Sequence, residues 1–458
     1  MSDDDVMSLY QDPDGTLWAG SDGGGLERLR NGHFDSWSLK DGLLDKDVWA
    51  ILRDRDGSLW LGTMGGGLAR FENGRIVSYT TTKDGLSSDY VDALYEDPDG
   101  SIWIGTRGGG LGRLKEGQVT TFTESEGLSK NDVKCVFESR DGSMCIGTEG
   151  GWISRLKDGK FTTIGTGLEA ETYYSVAEDP DGVLWWATGD ENDYRLAGSR
   201  LIPFLLKRPG VTLRSILRLR NGETLVGGSQ GEIYRVQGGQ LNTVAHAEGQ
   251  IYCLLEDRDG SLWAGADHGG LIHITGQTQS VMRMRQGLPD DTVRALYQDA
   301  AGTLWMGTEA GLCRLKDGKL TVYRVKDGLF DEGVYSILED DTGHLWMSGP
   351  KGISRVSKPD LERFASGKIK RFATDSYGMQ DGMATSDCEG DGLPTAWKAR
   401  DGRLWFATAK GVSVIDPDHL RVNFASYPVM IDRIVVDGTS AERPLRTTSD
   451  YTSSAESA

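Results

Sequence analysis

The sequence predicts an all-β fold, a β-propeller built from ten four-stranded repeats of about 42 residues. Three observations carry that reading. One eight-residue pattern returns ten times at nearly constant spacing, a column of small residues follows it at a fixed offset, and glycine reaches 63 of 458 residues, about twice its usual share.

The pattern is D-G-x-L-W-x-G-T. It stands at Asp14 to Ser21, Asp56 to Thr63, Asp99 to Thr106, Asp181 to Thr188, Asp259 to Ala266, Ala301 to Thr308, Thr342 to Gly349 and Asp401 to Thr408. Two degenerate copies lie at Asp141 to Thr148 and Asn221 to Gly228. Their glycines, at 15, 57, 100, 142, 182, 222, 260, 302, 343 and 402, are 38 to 43 residues apart except for a last step of 59. That period fits a four-stranded blade and excludes ankyrin and tetratricopeptide arrays, whose repeats are shorter and helical.

The third copy shows the elements in order. Val91 to Glu96 reads as a strand, and Asp97-Pro98-Asp99-Gly100 as a tight turn, with Pro where φ is preset and Gly where φ is positive. Ser101 to Thr106 returns, Gly108-Gly109-Gly110 turns, Leu111 to Leu114 is the third strand, Glu116-Gly117 turns again, and Gln118 to Thr123 is the fourth. Short strands between glycine turns, with no 3.6-residue apolar stripe, make a meander.

Nine residues before each repeat glycine stand Val6, Val48, Val91, Val133, Tyr173, Leu213, Ile251, Val293, Val334 and Leu393, which open the innermost strand. Two positions on, every residue is small: Ser8, Ala50, Ala93, Cys135, Ser175, Ser215, Cys253, Ala295, Ser336 and Thr395. Sheets that converge on an axis leave room only for such side chains. The tryptophans at 18, 60, 103, 185, 263, 305, 346 and 405 fall on the second strand, where sheets diverge and an indole fills the gap.

Composition narrows the function. Fifty Lys and Arg against 69 Asp and Glu give a net charge of −19, which repels a phosphate backbone, so nucleic acid is excluded as a partner. No run of 18 apolar residues spans a membrane, and Met1 to Asp5 carries no export signal as written. The five cysteines, Cys135, Cys145, Cys253, Cys313 and Cys388, are odd in number and scattered, and read as buried thiols rather than metal ligands.

The D-G-x-L-W-x-G-T core, the D-G-L tripeptides (Asp41 to Leu43, Asp84 to Leu86, Asp327 to Leu329) and the G-G-G-L turns (Gly23 to Leu26, Gly65 to Leu68, Gly108 to Leu111) resemble the two-component regulator propeller family over about residues 1 to 420. Ala396 to Pro417 is similar to the family's last blade, and Tyr427 to Arg433 to the first strand of the triple-tyrosine domain that follows such propellers. The tenth unit carries extra residues, with a helix start at Ser357-Lys358-Pro359-Asp360. Family members commonly carry two seven-bladed rings. The expected organisation is therefore a three-blade remnant at 1–128, a seven-bladed ring at 129–425, the first strand of a truncated triple-tyrosine domain at 426–438 and a disordered Ser/Thr-rich tail at 439–458. A single ten-bladed ring is the alternative.

The resemblance implies a ligand-sensing region of a bacterial two-component-type receptor, extracytoplasmic in setting, in a fragment lacking membrane and output domains. It implies no enzyme and no cofactor. Residues one step past the opening apolar position vary strongly and point the other way: Trp49, Asp92, Lys134, Tyr174, Arg214, Tyr252, Arg294 and Tyr335. Aromatic faces with Arg and Asp suit a polar ring such as a sugar, so Trp49, Asp92, Tyr174, Arg214, Tyr252, Arg294 and Tyr335 are the expected ligand contacts. The Asp-rich turns at 11–15 and 54–57 read as turn chemistry rather than calcium loops, and Gly189-Asp190-Glu191-Asn192-Asp193 as solvated acids more than a cation site. Catalytic motifs are missing, and the six histidines are expected mostly in turns. A polysaccharide lyase or hydrolase, or a protein-interaction scaffold, are the other readings. Dimerisation through exposed propeller faces is a further expectation.

Overall fold

The computed structural model describes residues 5–420 and a strand pair at 434–441, apart from 56, 73, 81–85, 98–99, 115–117, 166–171, 189–192, 199, 205–211, 238 and 437–438. Its described residues form nine four-stranded sheets, one three-stranded sheet and one two-stranded ribbon, with a single α-helix. Every large sheet is an antiparallel meander whose strands lie side by side in chain order, except one.

The repeat motif explains each sheet. In the first turn, the amide of Gly57 donates to the Asp54 carbonyl at 3.0 Å, and Asp54 Oδ1 accepts the amide of Ser58 at 2.8 Å. Asp54 therefore builds the turn itself, and its carboxylate has a second task. Its Oδ2 accepts the indole N–H of Trp60 at 2.7 Å. The same bond joins Trp18 to Asp12, Trp103 to Asp97, Trp185 to Asp179, Trp263 to Asp257, Trp305 to Asp299 and Trp346 to Asp340, at 2.7 to 3.2 Å. An indole buried between sheets needs an acceptor, and the turn six residues earlier supplies it.

The small column pairs across the sheet with glycine: Ala50 with Gly62, Cys135 with Gly147, Ser215 with Gly227, Cys253 with Gly265 and Ala295 with Gly307. The reason is close approach. A Cβ on Gly307 would lie 2.3 Å from the carbonyl oxygen of Val334, which leads into the next sheet. All five cysteines are free and buried, and burial pushes the thiols of Cys145, Cys253, Cys313 and Cys388 up to about 12. Contrary to expectation, four of the six histidines lie on strands: His33, His246, His273 and His344.

The chain divides into two compact units, 1–114 with 422–458, and 115–421. The first holds three sheets, beginning with the strands Val6–Gln11, Val48–Arg53 and Val91–Glu96. Its core lies between consecutive sheets: Trp18 and Leu26 against Val48, Leu61 and Phe71, then Trp60 and Leu68 against Val91, Ile102 and Ile104.

The second unit holds seven four-stranded sheets, whose inner strands begin at Val133, Tyr173, Leu213, Ile251, Val293, Ser336 and Ala396. Each inner strand packs beside the next, and Ala396–Lys398 packs beside Val133–Glu138, so the set closes. The seventh sheet is the exception to chain order. Its outer strand is Val119–Phe122, paired antiparallel with Gly411–Ile415 from Val119↔Ile415 to Phe122↔Val412. The sequence reading placed residues 119–122 in the third N-terminal repeat, before a boundary at 128/129. Pairing the two ends of the unit instead satisfies the backbone groups that two separate edges would expose.

Arginine reinforces the closure. Arg400 in the last turn donates its amide to Glu138 Oε2 at 2.9 Å and its guanidinium to the carbonyls of Ser139 and Arg140 at 3.0 and 3.1 Å. Arg140, Arg220 and Arg258 reach the following sheet in the same manner, onto Pro180, Asp257 and Asp299.

The helix Lys358–Ala365 starts one residue after Ser357, as the sequence suggests, but the Ser357 hydroxyl makes no cap bond, and Pro359 in the first turn leaves one donor fewer to satisfy. Arg314 grips Glu362 at 2.6 to 3.0 Å, and Tyr323 donates to the Leu361 carbonyl at 3.1 Å. Beyond the ring, Ile434–Val436 pairs with Thr439–Ala441, so a tail expected to be disordered from 439 begins instead with a strand. The strand expected at 427–433, and residues 442–458, lie outside the described residues.

Candidate functional site

A β-bulge opens the inner strands. Pairing across the sheet skips one residue, between Val133 and Cys135, Tyr173 and Ser175, Leu213 and Ser215, Ile251 and Cys253, and Val293 and Ala295. The residue skipped is the variable one of the sequence reading. A bulge leaves that residue outside the ladder and re-aims its side chain, which is why its identity is free to vary.

Five of the expected contacts come together at one mouth of the seven-sheet unit. In chain order they alternate as Tyr174, Arg214, Tyr252, Arg294 and Tyr335, all half-buried. The Arg294 guanidinium lies between two rings, 4.5 Å from the centroid of Tyr252 and 4.9 Å from that of Tyr335. Arg214 lies 3.9 Å from the ring centroid of Tyr174. Such cation–π stacking fixes a guanidinium in place while leaving its edge free to donate. Trp49 and Asp92 are not part of this belt. They belong to the N-terminal unit, where Arg107 stacks over Trp49 at 4.9 Å and pairs with Asp92 at 3.1 Å.

Residues 388–395, from the excess of the tenth repeat, run across the mouth. Glu389 Oε2 meets Lys134 Nζ at 2.8 Å, and Lys134 also reaches Asp132 at 2.9 Å. Arg294 donates to the Gly390 carbonyl at 3.1 Å and to Asp391 Oδ1 at 3.0 Å, and pairs with Glu309 as well. Backbone bonds hold the segment on two neighbouring sheets: Leu393 N–H to Tyr174 O at 2.6 Å, Val176 N–H to Leu393 O at 3.1 Å and Val136 N–H to Pro394 O at 2.9 Å. Gly392 passes so close that a Cβ there would lie 1.8 Å from the Lys134 carbonyl oxygen. Glu389, Asp391 and Glu309 were missed in the sequence, where the one available signal was the unexplained length of the last repeat.

Burial works against the charge on Lys134, but Glu389 and Asp132 outweigh it, and the ammonium is held above its usual range. Arg294 behaves alike, with Glu309 outweighing burial. Burial raises Tyr252 and Tyr335, so both phenols stay neutral and able to donate. Behind the segment lies a cavity of about 390 Å³, lined mainly by Val176, Ile216, Leu254, Leu296, Ile337 and Pro394. Glu178 and Arg218 also line it, so its wall is mixed rather than wholly apolar.

Of the acidic cluster at 189–193, only Asp193 lies among the described residues. It is buried on a third strand and accepts the Thr188 amide at 3.2 Å, and desolvation pushes its carboxyl up to about 7. No group of three His, Cys, Asp or Glu that could hold a metal ion occurs among the described residues.

Comparison with known proteins agrees with this architecture. The family described as "Two component regulator propeller" matches residues 1–23, 42–65, 85–108, 247–268 and 287–310. The extracellular domain of a hybrid two component system from B. thetaiotaomicron superposes with a TM-score of 0.70 at 21% identity, over 91% of this chain and 57% of that one. The extracellular domain of a one component system from the same organism superposes with a TM-score of 0.55 at 14% identity, over 96% of this chain and 68% of that one. Both likenesses concern the propeller fold, and the chain spans little more than half the length of the first. None of the curated proteins matches this sequence.

Proposed function

We propose, from the five stretches of repeat that match the two component regulator propeller family, that this chain is the extracytoplasmic, ligand-sensing region of a two-component-type receptor, a binder rather than an enzyme. One observation supports the reading: Arg294, a bulge residue like Tyr252, lies between the rings of Tyr252 and of Tyr335, which directly precedes the next inner strand. A polar, ring-shaped ligand such as a sugar would stack on a tyrosine and accept from the guanidinium edge. Asp391, more than half exposed, is the partner such a ligand would replace. Binding would then shift the propeller against whatever follows it, a rigid-body signal.

The state of the carboxylates supports binding over catalysis. Glu389, Asp391 and Glu309 are tied to Lys134 and Arg294 in ion pairs, whereas a catalytic carboxyl must be free to exchange a proton with its substrate. Asp193, whose carboxyl burial raises to about 7, is spent within its own sheet, accepting the Thr188 amide from the neighbouring strand.

A second reading, an interaction scaffold, draws on the segment 388–395 across the mouth and on apolar side chains exposed elsewhere, among them Leu9, Tyr95 and Leu111. Calorimetric titration with a panel of neutral and uronic oligosaccharides separates the two. At least one should bind, and Arg294→Ala and Tyr252→Ala should each weaken it about tenfold or more, the scale of one charge-assisted hydrogen bond or one stacked ring. Unchanged binding in both variants would count against the mouth, and no binding by any sugar would favour the scaffold.

A further inference from the structure

We infer that the channel along the axis of the seven-sheet ring holds a second ligand site, beyond the tyrosine belt, and that it takes a small organic acid, a carboxylate on an apolar body. The place is the cavity of about 390 Å³ behind segment 388–395. All seven inner strands contribute to its wall, from Phe137 on the first to Trp397 on the last, so the cavity lies on the axis. Its size falls in the range of about 300–1,000 Å³ in which small-molecule sites are found.

The apolar part of the wall repeats once per sheet. Val176, Ile216, Leu254, Leu296 and Ile337 each stand six residues before a repeat glycine and line the same space. Such a surface rewards the burial of an apolar body but gives it no direction.

Direction comes from a residue that breaks the repeat. Four positions before the repeat glycine, Glu138, Glu178 and Glu256 each accept a backbone amide from the preceding turn, that of Arg400, Arg140 and Arg220, at 2.7 to 2.9 Å. The third ring sheet has Arg218 at this position. In the turn before it the donor position is Pro180, which carries no N–H, so no acceptor is called for. Arg218 is thereby freed from the link between sheets. It ends the strand Leu213–Arg218, four residues beyond Arg214 of the belt, and so stands about 13 Å farther along the channel.

The Arg218 guanidinium donates to the Thr224 hydroxyl of its own sheet, its Nε is buried without an acceptor, and it makes no ion pair among the described residues. Glu178, the acid of the lining, is already engaged by the Ser139 hydroxyl at 2.8 Å and the Arg140 amide at 2.9 Å. The lining holds one more buried donor without an acceptor, the indole N–H of Trp397. A half-buried cation beside an aliphatic wall is best matched by an anion that also covers the wall, and a carboxylate fits the guanidinium fork.

The test is calorimetric titration of the full chain with octanoate and with octanol, which share a hydrocarbon tail and differ in charge. Octanoate should bind once per chain, and octanol at least tenfold more weakly, the scale of one charge-assisted hydrogen bond. Arg218→Gln should weaken octanoate about tenfold or more, leave octanol where it was, and melt with the wild type. Leu254→Trp, which fills the channel, should abolish binding of both while circular dichroism keeps the sheet signal. Equal affinity for octanoate and octanol, or octanoate binding that Arg218→Gln leaves intact, would overturn the pairing with Arg218. A lower melting temperature for Arg218→Gln would make the arginine a structural residue. No octanoate binding at millimolar concentration, or binding that survives Leu254→Trp, would overturn the site. Sugar binding at the belt is measured separately, so either site can fail without the other.

Discussion

Replacing Asp340 by alanine isolates the bond between turn and indole on which the repeat motif rests. Asp340 and Trp346 are both buried. Oδ2 accepts Trp346 Nε1 at 2.8 Å, while Oδ1 accepts the amides of Thr342 and His344 at 2.9 Å and the Thr342 hydroxyl at 2.7 Å. Alanine strands an indole N–H that water does not reach, a cost of about 1–3 kcal/mol, and removes a charged acceptor whose bonds contribute about 1.5–3 kcal/mol each. Thr342 is exposed and regains water, so the loss is about 3–5 kcal/mol. At about 2 °C per kcal/mol for a unit of this size, calorimetry should show the ring melting roughly 6–10 °C lower. The eighth Trp-bearing repeat offers the reverse experiment. There Ala399 occupies the acceptor position, the turn bonds are retained, and Trp405 Nε1 is buried without a partner. Ala399→Asp should therefore stabilise by about 1 kcal/mol. The pH dependence fixes the sign. Burial alone would raise the Asp340 carboxyl, but the His344 amide, Trp346 and Thr342 outweigh it and hold it below the usual range. Its contribution is then complete above the unfolded value near 4 and lost as pH falls through the folded one, so the deficit of Asp340→Ala should shrink on acidification below about pH 4. A variant within about 0.5 kcal/mol of wild type at neutral pH, a deficit indifferent to acid, or a destabilising Ala399→Asp would refute the reasoning.

Two further outcomes follow from the same contacts. Arg400→Ala removes the guanidinium link between the last ring turn and Ser139 and Arg140, and should lower urea resistance by about 1 kcal/mol, as an exposed arginine does; an unchanged midpoint would mean that strand pairing alone closes the ring. Asp193 has the opposite pH sign to Asp340. Its folded carboxyl, pushed up to about 7 by desolvation, favours the protonated form, so its stabilising effect is complete below about pH 4 and is lost as pH rises towards 7. Asp193→Asn should therefore be more stable than wild type at pH 8 and lose that advantage at pH 4, a difference readable in thermal melts at the two values.

Local periodicity made the sheets legible and pairing at a distance did not. The ten turns, the small column and the indoles could be placed because each is repeated at a fixed offset, and an error in one copy is corrected by the others. Val119–Phe122 had no such protection. A Val-Thr-Thr-Phe strand satisfies the fourth position of the sheet before it as well as that of the seventh ring sheet, and only the ladder to Gly411–Ile415, nearly 300 residues away, decides between them. The Asp–Trp bond was readable and overlooked: an aspartate stands six residues before seven of the eight repeat tryptophans, and the exception, Ala399, is where the indole lacks an acceptor. The segment 388–395 was not readable, since it belongs to no repeat and its contacts are set by three-dimensional closeness to Lys134, Tyr174 and Arg294.

That segment also changes what the belt can recognise. Lys134 and Arg294 are half-buried cations, and a cation brought into such surroundings without a partner loses several kcal/mol of hydration. Glu389 and Asp391 offset that loss from within the chain, and the backbone bonds at Leu393 and Pro394 fix where they stand. The two carboxylates differ in reach: Glu389 is nearly covered, whereas Asp391 faces solvent. On the sensing reading proposed above, a ligand would meet Arg294 through its Asp391 side and not through Lys134. Such a ligand would have to offer acceptors strong enough to exchange with a carboxylate, on a body flat enough to lie against Tyr252 or Tyr335. The bulge sets the positions of this selection and leaves the residue types open, so repeats with identical backbones can present different mouths.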